Sequence, residues 1–141
     1  MNTLSESFAM RIAHIGIAVK DAKVALQLYQ KVLGLNPSHT ETVESQKVKT
    51  VHIPIGDSSI ELLESTSPDG VVAKFIEKHG EGIHHIAIEV PNIEESLAQM
   101  KAAGYRLIDE TPRKGAGGSL IAFVHPRSTH GVLLELCQHP D

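Results

Sequence analysis

The sequence predicts an α+β fold made of two similar modules, each a strand, a helix and then two or three strands. Three observations carry this. The run from Ala13 to Val19 returns as the run from His84 to Val90, with histidine, isoleucine, isoleucine and valine matching at an offset of 71 (85 minus 14). The triplet Ile60-Glu61-Leu62 returns as Leu134-Glu135-Leu136 at an offset of 74 (135 minus 61). Each opening segment leads into a helix bounded by a capping residue and a glycine, Asp21 to Gly34 and Asn92 to Gly104.

Both opening segments alternate apolar and other residues with period two, which predicts strands. In the first, Ile15, Ile17 and Val19 share one face and His14, Gly16 and Ala18 the other. Asp21 caps a helix with an inner stripe of Ala22, Ala25, Leu26, Tyr29, Val32 and Leu33, and Gly34 ends it. Strands follow at 41–43, 48–55 and 59–63, the last two joined at Gly56-Asp57. A turn at Ser67-Pro68-Asp69-Gly70 starts a linker helix at 71–79. In the second module Asn92 caps a helix, with Glu95 completing a capping box and Ile93, Leu97 and Met100 facing inward. Strands are expected near 105–108, at 119–124 and at 132–137. The organisation is then a disordered lead-in at 1–10 and one domain at 11–138, with module 1 at about 11–64, the linker helix within 65–82 and module 2 at about 83–138.

With 41% hydrophobic and 21% charged residues the 141-residue chain has an ordinary globular composition, large enough to bury a core. A net charge of −4 argues against nucleic acid, whose binding needs clustered Lys and Arg. No window approaches the ~20 apolar residues of a membrane span, and the polar start lacks a signal-peptide core. One cysteine, Cys137, excludes an internal disulfide and fits a reducing compartment, so a cytoplasmic protein is expected.

Each half thus opens with a strand carrying a histidine and closes with a strand carrying a glutamate. Alternation sets His14, His85, Glu61 and Glu135 on the face opposite the helix-packed residues, beside small Gly16, Ala18 and Ala87. A glutamate between apolar neighbours in a closing strand needs a partner if it is buried. Two imidazoles and two carboxylates neutralise a divalent cation and leave positions open, a set suited to Co²⁺, Ni²⁺, Mn²⁺, Fe²⁺ or Zn²⁺ rather than to a closed structural zinc site.

These residues resemble the vicinal-oxygen-chelate superfamily, built from paired βαβββ modules whose curled mixed sheet holds a divalent metal in a cup. The resemblance runs from Arg11 to about Gln138. Within it the chain is similar to the methylmalonyl-CoA epimerase family, through His14 to Val19, Ile60 to Pro68, Ala73 to Lys78, Gly80 to Ala87 and His125 to Leu136. The resemblance implies His14, Glu61, His85 and Glu135 as metal ligands, with Co²⁺ first and Ni²⁺, Mn²⁺ or Zn²⁺ as substitutes, an acyl-CoA thioester as substrate, and a homodimer. Epimerases often carry a Glu-Gln pair before the second strand. That glutamate falls at Ser45 here, followed by Gln46, with Glu44 one position away.

Epimerisation removes and returns the C2 proton of a malonyl-type thioester. Glu135 is the first candidate for that transfer, and Glu61, Glu44 or a relayed water is its counterpart. The loop Arg113 to Gly118 offers backbone amides, notably at Gly117 and Gly118, and cations for coenzyme A phosphates. Arg127 and Ser128, in the epimerase-like run, are further substrate-binding candidates. His84 reads as structural or supporting, His52 as a strand residue with a minor claim to a site role, and His39, His79, His130 and His139 as surface or loop positions. Two other functions share the pattern: a glyoxalase-I-type isomerase of a thiol hemithioacetal, and a non-catalytic binding module of the same fold, which does not require the four ligands.

Overall fold

The computed structural model describes residues 7–140. Packing divides them into two units, residues 14–84 and residues 7–13 with 85–140. Of the lead-in expected at 1–10, residues 1–6 lie outside the described residues. Residues 7–10 are tied to the second unit: the Ser7 hydroxyl donates to the Asn92 carbonyl at 2.6 Å, and Met10 N–H donates to the Glu89 carbonyl at 2.9 Å.

The first module runs β1 (Arg11–Ala18), α1 (Ala22–Leu26), β2 (His39–Val43), β3 (Val48–Ile55), β4 (Ser58–Ser65) and α2 (Val71–His79). Its sheet has the order β2-β3-β4-β1, with β1 parallel to β4 and the other pairs antiparallel. The Asp21 side chain caps α1 by accepting from Lys23 N–H at 2.9 Å. Past Leu26 the helix widens into a π turn over Gln27–Val32, in which Leu33 N–H reaches back to the Leu28 carbonyl. The expected stripe is corrected there. Val32 is 74% and Leu33 58% exposed, because the wider turn rotates them off the packed face. Ala22, Ala25, Leu26, Tyr29 and Leu35 remain on it, against Val19, Val51, Ile53 and Leu62. The other face packs Ala18, Val48 and Leu63 under Val72, Phe75 and Ile76 of α2.

The second module runs β5 (Gly82–Glu89), α3 (Ile93–Ala102), β6 (Arg113–Lys114), β7 (Leu120–Val124) and β8 (Leu134–Gln138). Its order is β5-β8-β7-β6, with β5 parallel to β8 and the rest antiparallel. Asn92 caps α3 through Glu95 N–H at 3.1 Å. Ile93, Leu97 and Met100 pack on Val90, Ala122, Val124 and Leu136, as the stripe predicts. The strand expected near 105–108 is absent; a single bridge joins Leu107 to Val124. Ile108 and Asp109 N–H both turn to the Phe123 carbonyl, and the Asp109 carboxylate takes Phe123 N–H at 2.9 Å. A side chain thus does there what a strand backbone would do, and the outer strand forms later, as β6. Both modules are therefore βαβββ units, and the fold is α+β. No described helix is long and apolar enough to cross a membrane.

Candidate functional site

In the first module β1 and β4 lie in parallel register with Gly16 opposite Glu61, so His14 stands two residues before the position facing Glu61. Its Nδ1 lies 3.2 Å from Glu61 Oε2, and both side chains are 14% exposed. The second module repeats this. Ala87 of β5 faces Glu135 of β8, and His85 stands two residues before Ala87. His85 Nε2 lies 3.3 Å from Glu135 Oε1, with exposures of 8% and 7%. The residue that faces each glutamate across the sheet is small, Gly16 in the first module and Ala87 in the second.

Within each module the structure therefore brings together the histidine and glutamate that the repeat predicts. Each pair offers one imidazole nitrogen and one carboxylate oxygen at a low-exposure position. That mixed nitrogen and oxygen chemistry fits a divalent cation of the zinc, cobalt or manganese class.

The modules differ one strand further out. Opposite Glu135 on β7 stands Phe123, whose ring meets His85 edge-on at 5.9 Å and carries the Arg113 guanidinium over its face at 5.3 Å. Opposite Glu61 on β3 stands His52. His52 Nδ1 lies 3.3 Å from Glu61 Oε2 and its Nε2 3.3 Å from Glu41 Oε1. The hydrogen bond to Glu61 raises the His52 pKa above the ordinary 6.5; burial opposes this, and the charge of Glu61 and the contact with Glu41 add to it.

Sequence reading gave His52 only a minor part, although a signal was present. A two-residue turn at Gly56-Asp57 fixes the β3–β4 register, with Ile55 facing Ser58, and that register sets His52 against Glu61. The nine residues between β7 and β8 fix no such register for Phe123.

The remaining candidates lie on loops. Gly117 (φ 65°) and Gly118 (φ 78°) form the bend between β6 and β7. Arg127 and Ser128 belong to a single 3₁₀ turn between β7 and β8. There His125 Nδ1 accepts from Arg127 N–H, and the Ser128 hydroxyl accepts from Arg106 N–H at 2.8 Å. Glu44 opens a 3₁₀ turn at Glu44–Gln46, closed by Lys47 at φ 54°. His84 packs against the Phe75 ring, and Cys137 is buried with its thiol on the Ile88 carbonyl.

Residues 13–123 match the model of the glyoxalase/bleomycin resistance protein/dioxygenase superfamily. An uncharacterized Bacillus subtilis protein is 46% identical over 128 residues, 91% of either chain. Human mitochondrial methylmalonyl-CoA epimerase is 35% identical over 129 residues, 91% of this chain and 73% of the human one. A serine-to-threonine variant of the Streptomyces coelicolor methylmalonyl-CoA epimerase in complex with 2-nitronate-propionyl-CoA superposes with a TM-score of 0.89 at 38% identity, over 94% of this chain and 96% of that one. The same enzyme has been solved with a glutamate changed to leucine and with a glutamine, seventeen positions later, changed to alanine.

Proposed function

Since the chain belongs to the glyoxalase/bleomycin resistance protein/dioxygenase superfamily, we propose that it is a metal-dependent epimerase interconverting (2R)- and (2S)-methylmalonyl-CoA. His14, Glu61, His85 and Glu135 are the residues that hold the divalent cation, Co²⁺ by preference. The observation that carries the reading is the repeated pair, a glutamate opposite the small residue that stands two places after a histidine, at 3.2 and 3.3 Å. The fold alone does not demand it, since a packed sheet is served better by apolar residues than by buried carboxylates. The epimerase relatives support the substrate class.

When bound, such a cation is a Lewis acid that favours negative charge developing on the substrate's oxygens. The chain's own residues move the proton. C2 of the substrate lies between a thioester carbonyl and a carboxylate, so losing its proton leaves an enolate. Glu135 takes the proton at a carboxylate oxygen from one face, and a second acid returns one to the other face. Glu61, or Glu44 one position before Ser45, supplies that second acid. Gly117 and Gly118 present backbone N–H groups to the thioester or carboxylate, the cations of their loop, Arg113 and Lys114, meet the coenzyme A phosphates, and Arg127 and Ser128 contact the substrate. A cytoplasmic homodimer completes the proposal.

The test is exchange at C2 of methylmalonyl-CoA in D₂O, followed by NMR with added Co²⁺ and with EDTA. Rapid deuterium incorporation that EDTA abolishes is expected. Absence of exchange with Co²⁺ bound would overturn the substrate assignment, and full exchange in EDTA would overturn the role of the metal.

A further inference from the structure

The outer edge of the first module gathers a second set of metal donors that the proposed epimerase chemistry does not use. On β2, His39 and Glu41 are two residues apart and so share a face. Directly across from His39 on β3 is His52. One donor atom from each of His39, Glu41 and His52 lies within 4.8 Å of the others. The two imidazoles stack with centroids 4.1 Å apart and planes 13° from parallel, and Glu41 Oε1 lies 3.3 Å from His52 Nε2.

We propose that His39, Glu41 and His52 form a separate site for a borderline divalent ion of the Zn²⁺ class, on the open edge of the first module's sheet. Two imidazoles and one carboxylate are a set that such ions favour, and three protein ligands leave the ion exchangeable through its open positions. Each ring already has a partner for its other nitrogen. The Ser38 hydroxyl lies 3.0 Å from His39 Nδ1, and Glu61 Oε2 lies 3.3 Å from His52 Nδ1. Partners of this kind fix the tautomer that leaves Nε2 to the metal. An ion with ligand distances of roughly 2.0–2.2 Å draws the donors closer together. His39 is exposed, so its ring turns inward without displacing packed atoms.

The repeat supplies an independent argument. The place that His52 holds beside Glu61 is taken by Phe123 beside Glu135. The βαβββ frame therefore accepts an apolar ring there and does not require a histidine.

The site goes beyond the epimerase reading and does not rest on it. Its test is Zn²⁺ equilibrium dialysis of the untagged full chain, with imidazole ¹⁵N–¹H spectra. Two ions per chain are expected, falling to one in His39→Ala and to one in Glu41→Gln. The His39 and His52 ring signals should shift as the edge site fills. Unchanged stoichiometry in His39→Ala, with unmoved ring signals in the parent chain, would overturn the proposal. A single ion that His39→Ala loses and His85→Ala keeps would establish the edge site while sinking the four-residue centre. A single ion that His85→Ala loses and His39→Ala keeps would do the reverse.

Discussion

His85 and Glu135 show at the residue scale what the repeat demands of a side chain. Burying an ionised carboxylate carries a desolvation penalty of several kcal/mol unless charge and hydrogen bonds offset it, and Glu135 is buried. His85→Ala removes one proposed ligand outright. Outer partners of a ligand already change affinity 10–100-fold, so Co²⁺ affinity should fall by more than about 100-fold, while the far-ultraviolet spectrum stays that of the parent. Unaltered Co²⁺ binding in this variant would remove His85 from the ligand set. A second residue-scale prediction concerns Asp69. The Lys47 ammonium at 2.5 Å and the Ser67 hydroxyl hold its carboxyl down to about 2 from an ordinary 3.8. A lowered folded-state pKa means that the contribution to stability is complete above 3.8 and is lost as the pH falls through about 2. Carboxyl titration by NMR should find that midpoint, and Lys47→Met should bring it back toward 3.8. A midpoint that stays put in Lys47→Met would mean the lysine is not its cause.

Caps and alternation carry the elements, and this is where sequence and structure can be compared in physical terms. Asp21 and Asn92 announce helix starts because their side-chain oxygens satisfy N–H groups that the first turn leaves open. Asn92→Ala should therefore destabilise the fold by about 1 kcal/mol, read as a lower urea midpoint with an unchanged slope; no change would mean that solvent or Ser7 serves that helix end as well. The strand at 48–55 and the helix at 71–79 were legible to the residue, one from the tight turn at Gly56-Asp57 that ends it, the other from the turn Ser67-Pro68-Asp69-Gly70 before it. The π turn after Leu26 was not legible, since five-residue hydrogen bonds leave no residue signature and the apolar residues at 32 and 33 suggested a continuing stripe. Nor was the displaced edge strand at 113–114, because a single carboxylate, Asp109, takes over the bond that marks a strand. In the site, the pairs His14–Glu61 and His85–Glu135 could be read from the repeat. The chain of contacts from Glu61 through His52 to Glu41 depended on register, which the hairpin turn fixes but residue types alone do not state.

The described residues carry the same construction twice, and the departures between the copies separate what packing requires from what chemistry requires. Helix-facing positions are apolar in both modules, and both place a glutamate in the same register to a histidine. Residues outside that agreement, His52 against Phe123 above all, are free of the fold's demand. If the four agreeing polar residues hold one ion, its binding energy belongs to the folded chain as a whole and not to either module. Ligand that binds only the folded state stabilises it by RT ln(1 + [L]/Kd), about 2.7 kcal/mol at a hundredfold excess over Kd. For a chain of this length that is a rise in melting temperature on the order of 10 °C. The parent protein should show that rise as Co²⁺ is added and lose it in EDTA. His85→Ala and Glu61→Ala should each abolish it, although one lies in the second module and the other in the first. A rise that survives in either variant would mean the ion is held within one module, and the twofold repeat would then be a device of folding rather than of catalysis.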